Sequence, residues 1–191
     1  MLRRFFREWI LQAALPLWLL VTFLVIPAAV QGRSMEPSLE PEDRLIILKA
    51  ERWLNAWGLD PAWPRYGDIV VFKAPSDSEY AFETGPFGLR YRPYLIKRLV
   101  GRPGDRIELR EGTLYRNGQP VPEPYATPDA SSFDVEPLTL GPGQYYLLGD
   151  NRRVGESVDS RYFGPVRRQD LAGTVVLRFW PPGGFGRPPG P

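Results

Sequence analysis

The chain has 191 residues, of which 43% are hydrophobic and 24% charged, and it contains no cysteine and no histidine. The missing histidine excludes Ser–His–Asp and Cys–His catalysis, and the missing cysteine excludes disulfides, thiol nucleophiles and zinc fingers. A carboxylate-only Mg or Ca site stays open, but the sequence has no EF-hand-like loop, and we expect no metal and no cofactor. The net charge of +2 equals that of the first eight residues, MLRRFFRE, which argues against a nucleic-acid-binding surface. Because arginine keeps its proton, a neutral basic amine must come from Lys49, Lys73 or Lys97.

The first predicted element is a transmembrane helix. Residues 9–32 carry no formal charge, and about 20 apolar residues are enough to cross a bilayer. We expect a cytoplasmic N-terminus at 1–8, rich in arginine, a single membrane anchor at 9–30, and an extracytoplasmic domain on the outer side of the cell (inner) membrane. A cleaved signal peptide and a buried core helix are the alternatives. The length of the apolar run and its poor cleavage site favour the anchor.

Residues 31–180 are predicted to form a mostly β domain, because short apolar, β-branched runs alternate with Gly and Pro. The predicted strands lie at 45–49, 68–72, 94–100, 106–110, 144–148 and 173–180. Asn117-Gly118 is typical of a hairpin turn. We expect a long surface loop at 122–143 and a disordered Pro/Gly tail at 181–191.

A tryptophan-rich insert interrupts this β pattern. Residues 51–65, ERWLNAWGLDPAWPR, contain three tryptophans close together. A local apolar cluster is the simpler interpretation. The alternative is a contact with the membrane interface, where tryptophan is enriched. The sequence alone leaves the role of this insert open.

Two side chains are candidates for nucleophilic chemistry. Lys97 lies among apolar residues, and desolvation lowers the pKa of a lysine, so that its neutral amine can act as a general base. Ser34 follows the apolar segment between Gly32 and Pro37, where its hydroxyl can serve as a nucleophile. Taken singly, an exposed strand lysine and a helix N-cap serine are the better explanations.

A third cluster combines charges and hydroxyls in a turn-rich segment, 148–166. It contains Asp150, Arg152, Asp159 and Arg161. These residues are either a charge-paired scaffold that holds a loop beside an active site, or a polar surface loop with weak ion pairs.

Together, these segments resemble, in order and spacing, the bacterial type I signal peptidases, also called leader peptidases, which are Ser/Lys membrane proteases. The matching motifs are SMEPSL at 34–39, YGDIVVF at 66–72, YLIKR at 94–98, GRPGD at 101–105, GDNR at 149–152, SVDSR at 157–161 and GPV at 164–166. The resemblance implies a signal-peptidase-like catalytic domain of antiparallel sheets behind one membrane helix.

The resemblance also assigns roles. It implies that Ser34 is the nucleophile, that Lys97 is the general base, and that Ser157 hydrogen-bonds the lysine amine. The Ser34 N–H and position 32 would bind the oxyanion. The other implied site residues are a charged pair that shapes the site, Asp159 and Arg161; structural residues of the same motif, Asp150 and Arg152; and residues near the pockets for small substrate side chains, Met35, Leu39 and Ile96.

Two features depart from the family pattern. Some members carry a Ser or Thr hydroxyl at the position of Gly32, where this chain offers only backbone. Four residues, 153–156, precede Ser157 where two are usual, which leaves the position of that serine beside Lys97 uncertain.

The implied reaction removes signal peptides from exported preproteins through an acyl-enzyme. One alternative is a Ser/Lys self-cleaving repressor-type protease, which would need an N-terminal DNA-binding domain in place of the apolar segment. The other is a membrane-tethered β-rich homologue without catalysis, in which Ser34 and Lys97 lie far apart.

Overall fold

The computed structural model describes residues 8–60, 62–127 and 134–190. Its strands, in chain order, are β1 (Val25–Ala29), β2 (Arg44–Leu48), β3 (Ile69–Phe72), β4 (Glu83–Thr84), β5 (Arg90–Tyr91), β6 (Leu95–Gly101), β7 (Arg106–Arg110), β8 (Thr113–Arg116), β9 (Gln119–Pro120), β10 (Val135–Thr139), β11 (Gln144–Leu148), β12 (Val166–Arg167) and β13 (Leu171–Trp180). The helices are α1 (Leu15–Leu19), flanked by π-helical turns at Ile10–Ala14 and Leu20–Leu24, α2 (Ala50–Ala56) and α3 (Ser160–Phe163). Short 3₁₀ turns lie at Glu79–Ala81, Pro86–Gly88, Arg168–Asp170 and Pro182–Gly184.

The strands of the described residues form a seven-stranded antiparallel sheet in the order β1-β2-β13-β3-β6-β11-β12, a four-stranded sheet in the order β10-β7-β8-β9, and the small β4-β5 hairpin. The mostly β architecture predicted from the apolar alternation is therefore confirmed. The predicted hairpin turn is confirmed as well: Asn117 and Gly118 have φ angles of 54° and 79°, the left-handed backbone that a tight two-residue hairpin requires.

The N-terminal segment differs from the single helix predicted over 9–30. Its helical part ends at Leu24, and residues 25–29 form β1, which pairs antiparallel with β2 at the edge of the large sheet. The edge position explains how Pro27, which lacks an N–H, fits a strand. Across the three described ranges, no helix combines the length and the apolar character needed to span a membrane.

Apolar side chains of the described ranges form three clusters. One lies under β1, β2, β3 and β13 and includes Met35 and Leu39. The second contains Trp63 and joins β3, β6 and β11. The third attaches the smaller sheet to β6 and β11. The central strands β3 and β6 are thus covered on both faces, which makes them rigid supports for side chains that point to the site.

Two segments predicted as irregular carry structure, and so does the tryptophan-rich insert. Within 122–143, residues 135–139 form β10, while 128–133 lie outside the described residues. The insert 51–65 begins within α2 and ends with Trp63 in the core. The tail, predicted to be disordered, folds back on β13. The Gly186 and Arg178 backbones pair, and the Arg178 side chain donates to the Gly184 carbonyl at 2.6 Å.

Candidate active site

The fold brings Ser34 and Lys97 together. Lys97 lies on β6 opposite Val70 of β3, and Ser34 lies on the turn between β1 and β2. The Asn151 N–H donates to the Ser34 carbonyl at 3.1 Å, and the Asn151 amide donates to the Arg33 carbonyl at 3.2 Å, which fixes the turn. The Lys97 Nζ and Ser34 Oγ atoms are 2.7 Å apart, which is within hydrogen-bond distance.

Burial changes the acidity of Lys97. Its side chain is 4% exposed, and its amine also donates to the Ile96 carbonyl at 2.9 Å. Desolvation lowers the pKa of Lys97 from 10.5 to about 8, although the nearby Asp159 and Asp150 carboxylates favour the charged amine. A sizeable neutral fraction therefore exists near pH 8, next to a hydroxyl.

Asp159 organises the polar side of the site. Its carboxylate accepts hydrogen bonds from Ser157 Oγ at 2.8 Å and from the Gly149 N–H at 2.9 Å. Arg161 binds it with two guanidinium nitrogens, each at 2.9 Å. These hydrogen bonds hold the loop 157–161 against β11 and keep the Asp159 carboxylate near the Lys97 amine.

Ser157 takes a different partner from the one that the family resemblance implies. The amine of Lys97 makes its hydrogen bonds within the described residues to Ser34 and Ile96, whereas Ser157 donates to Asp159. A carboxylate is a stronger acceptor for a hydroxyl than a lysine amine is. Ser157 is thus linked to Lys97 through Asp159, whose charge acts on the Lys97 pKa.

A second buried ion pair supports the site from behind. Arg98 and Asp150 are both fully buried and joined by two bonds of 2.8 and 2.6 Å. Arg98 also donates to the Gly67 carbonyl at 2.7 Å and to Ser38 Oγ at 3.1 Å, and its guanidinium lies 4.0 Å from the Tyr125 ring centroid. The SMEPSL, YGDIVVF, YLIKR and GDNR motifs therefore meet at Arg98, a residue whose role the sequence analysis did not assign.

We expect Asp150→Asn to lower the free energy of unfolding by about 3–5 kcal/mol, because it leaves the Arg98 guanidinium buried without a counter-charge. Urea denaturation of the purified protein in detergent measures the change, with Asp77→Asn, at an exposed position, as the matched control. A loss below about 1 kcal/mol, as for an exposed pair, would show that the buried pair does not stabilise the fold.

Arg152 ties the beginning of the predicted surface loop to the site. Its guanidinium binds both carboxylate oxygens of Glu123 at 2.7 and 2.5 Å and donates to the Gly149 carbonyl at 2.8 Å. The family resemblance implies a structural role for Arg152 but none for Glu123 and Tyr125. Both of these residues lie in the predicted surface loop 122–143. The acidic and aromatic residues between prolines in PEPY were the available signal.

The three residues expected near substrate pockets share one cluster. Met35 and Leu39 are buried beneath the Ser34 turn, and Ile96 packs against the same cluster while remaining partly exposed. Ile96 is therefore the residue of the three that a bound peptide reaches most easily. Met35 and Leu39 form the apolar floor behind it.

The backbone around the nucleophile leaves room for an oxyanion. Among the hydrogen bonds of the described ranges, the Ser34 N–H has no protein acceptor. Gly32 has a φ of +78°, and a Cβ at this position would meet no atom within 4 Å. Gly32 therefore gives the turn its left-handed backbone but contributes no hydroxyl.

Gly149 is the first residue of the GDNR motif, and neither the motif nor the family resemblance predicts a role for it. A Cβ at this position would lie 2.5 Å from the Ser34 carbonyl oxygen and would also overlap the Ser157 side chain. Glycine is required here because two chain segments approach its backbone closely. The sequence alone could not reveal the contact with Ser34, because Ser34 is distant from Gly149 in the chain.

Comparison with known proteins gives a consistent result. The family model described as signal peptidase, peptidase S26, matches residues 2–180. A probable signal peptidase I-2 of Synechocystis sp. is 37% identical over 84% of this chain and 65% of its own length. Signal peptidase IB of Staphylococcus aureus is 31% identical over 91% of this chain and 89% of its own. A solved signal peptidase I from Enterococcus faecalis is 31% identical with a TM-score of 0.45, over 58% of this chain and 95% of that one.

The resemblance found in the sequence is thereby confirmed. This chain belongs to the signal peptidase family, peptidase S26, a family of serine endopeptidases.

Proposed function

We propose that this chain is a membrane-tethered endopeptidase that removes N-terminal signal peptides from exported preproteins, with Ser34 as nucleophile and Lys97 as general base. The observation that carries the proposal is the 2.7 Å approach of Ser34 Oγ to the buried Lys97 amine. The names of its relatives, signal peptidase I-2 and signal peptidase IB, support the same substrate class.

The proposed reaction is acyl transfer. Neutral Lys97 takes the proton from the Ser34 hydroxyl as Oγ attacks the carbonyl carbon of the scissile peptide bond. The Ser34 N–H stabilises the negative charge on the carbonyl oxygen. The protonated Lys97 then gives its proton to the leaving amine as the C–N bond breaks. Finally, Lys97 activates a water molecule that hydrolyses the ester and frees Ser34.

The sheet offers a place for an extended substrate. β11 pairs with β6 at Arg98, Leu99 and Gly101, so residues 95–97 have no strand partner on that side among the described residues. A peptide that adds there as a strand would pass along Ile96 towards Ser34. Apolar pockets at Met35, Leu39 and Ile96 would favour small side chains before the cut.

The same proposal places the site next to a membrane. The uncharged residues 9–32 end two positions before Ser34, and Arg-rich residues 1–8 precede them. With the apolar residues before β1 as a single-pass anchor and the N-terminus in the cytoplasm, the catalytic domain lies outside the cytoplasm. A signal sequence whose apolar part is still in the bilayer would then be cut near the membrane surface.

The proposal is tested by incubating the purified full chain in detergent with a preprotein that carries its signal sequence. We expect cleavage at the end of the signal sequence, and a loss of about 10⁴-fold or more in Ser34→Ala, because the variant lacks the attacking oxygen. Ser76→Ala, at an exposed position on the β3–β4 connection, is the matched control. A parent protein that leaves the preprotein intact favours the non-catalytic alternative, and a cleaving Ser34→Ala variant contradicts the assignment of the nucleophile.

A further inference from the structure

Trp53 on α2 lines two cavities of opposite character. The first, the apolar cavity, has a volume of about 440 Å³ and is lined by Phe23, Leu24, Ala50, Trp53, Leu54 and Trp57. The second, the arginine cavity, has a volume of about 600 Å³, and its lining residues include Arg52, Arg167 and Arg168. Neither cavity includes Ser34 or Lys97. Because the two cavities share one tryptophan, they suit an amphiphile: its apolar tail fits the apolar cavity and an anionic head group fits the arginine cavity.

The arginine cavity has unbalanced positive charge. None of its three guanidinium groups forms an ion pair with a carboxylate in the described ranges. The acidic residues next to them in sequence are engaged elsewhere: Asp170 pairs with Arg92 at 3.0 Å, and Glu51 accepts a hydrogen bond from Thr174. The Arg52 guanidinium lies over the Trp53 ring, 4.7 Å from its centroid, and this contact leaves its positive charge without a counter-ion. Three guanidinium groups without a carboxylate partner favour a phosphate, which each can bind with two parallel hydrogen bonds where the geometry allows.

The apolar cavity is open and joined to the N-terminal apolar segment. Trp57, on its rim, is 71% exposed. The backbone N–H of Lys49 donates to the Leu24 carbonyl at 2.7 Å, and the Lys49 amine donates to the Val21 carbonyl at 3.1 Å. These bonds hold the start of α2 against the end of the helical part of the N-terminal segment. The cavity is therefore continuous with the segment proposed to enter the bilayer, and this continuity indicates that lipid covers it.

We propose that this face binds one anionic phospholipid, with its phosphate in the arginine cavity and an acyl chain in the apolar cavity along Trp53 and Trp57. The inference rests on the proposed membrane tethering and adds to it a defined lipid site. It assigns a role to the tryptophan-rich insert: Trp63 belongs to the core, whereas Trp53 and Trp57 contact lipid.

Native mass spectrometry of the full chain in detergent, titrated with phosphatidylglycerol or phosphatidylcholine, tests the proposal. We expect the parent to retain one phosphatidylglycerol at concentrations where phosphatidylcholine is lost. The double variant R167Q/R168Q should weaken retention by about tenfold or more, because each lost charge-assisted contact is worth that order. R106Q/R110Q, which removes two exposed charges from β7, is the matched control and should retain lipid like the parent.

Trp57→Ala tests the apolar half and should also weaken phosphatidylglycerol retention. Equal retention of both lipids, or unchanged retention in R167Q/R168Q, overturns the proposal. Displacement of the lipid by inorganic phosphate with Trp57→Ala unaffected would identify a site for soluble phosphate instead. A dimer that Trp57→Ala abolishes would identify an interface between copies of the chain. Lipid retention does not depend on cleavage. If the lipid site is disproved, the peptidase proposal still stands. If the parent retains lipid but cleaves no preprotein, the peptidase proposal fails and the lipid site stands.

Discussion

Lys97→Arg is expected to be inactive, with preprotein cleavage reduced by about 10⁴-fold or more, even though the substitution conserves charge. The proposed mechanism needs a neutral amine, and burial supplies it by lowering the pKa of Lys97 to about 8. A guanidinium stays protonated in the same surroundings and cannot accept the Ser34 proton. The same cleavage assay in detergent measures the effect.

Lys73→Arg is the matched control for this substitution. Lys73 follows β3, and its amine lies 4.8 Å from the Tyr94 ring centroid, an environment that a guanidinium also suits. We expect cleavage close to that of the parent. If Lys97→Arg retained activity, the general base would have to be another group, and the assignment of Lys97 would be wrong.

Gly149→Ala is expected to damage the site without removing any functional group. The added methyl would lie 2.5 Å from the Ser34 carbonyl oxygen, so the Ser34 turn or the Ser157 loop must shift. A shift near 1 Å in the nucleophile is enough to lower catalysis by about 100-fold. Overpacking should also cost about 1–3 kcal/mol in the free energy of unfolding.

The cleavage assay and urea denaturation together check this prediction. Gly183→Ala is the control, since a Cβ at Gly183 would meet nothing within 4 Å. Full activity in Gly149→Ala would mean that the turn carrying Ser34 tolerates displacement. In that case the close approach of GDNR to SMEPSL would not position the nucleophile.

The sheet could be predicted from the sequence because its strands are short apolar runs bounded by Gly and Pro. The predicted strands at 106–110 and 144–148 and the Asn117-Gly118 turn match the structure, and the other predicted strands differ by one or two residues at their ends. β1 was missed because VIPAA continues an uncharged run. Its pairing with β2 is a non-local contact that hydropathy does not reveal.

The residues of the candidate site that belong to a motif could be predicted from the sequence. The hydrogen-bond partners that tertiary packing brings to them could not. The motifs pointed to Ser34 and Lys97, and the structure places their reactive atoms at hydrogen-bond distance. The bond that Ser157 donates to Asp159 and the bonds that Arg152 donates to Glu123 depend on the path of two loops. Local sequence does not predict which loop packs on which strand.

The dependence of kcat/KM on pH, measured for preprotein cleavage by the purified chain, tests the central claim most directly. Because the neutral amine is the active form and burial lowers the pKa of Lys97 to about 8, kcat/KM should rise with pH and level off above that value. Below it, kcat/KM should fall about tenfold for each pH unit, as the neutral fraction does. A profile that is flat between about pH 6 and about pH 9, or that rises only above about pH 10, would contradict catalysis by a neutral Lys97.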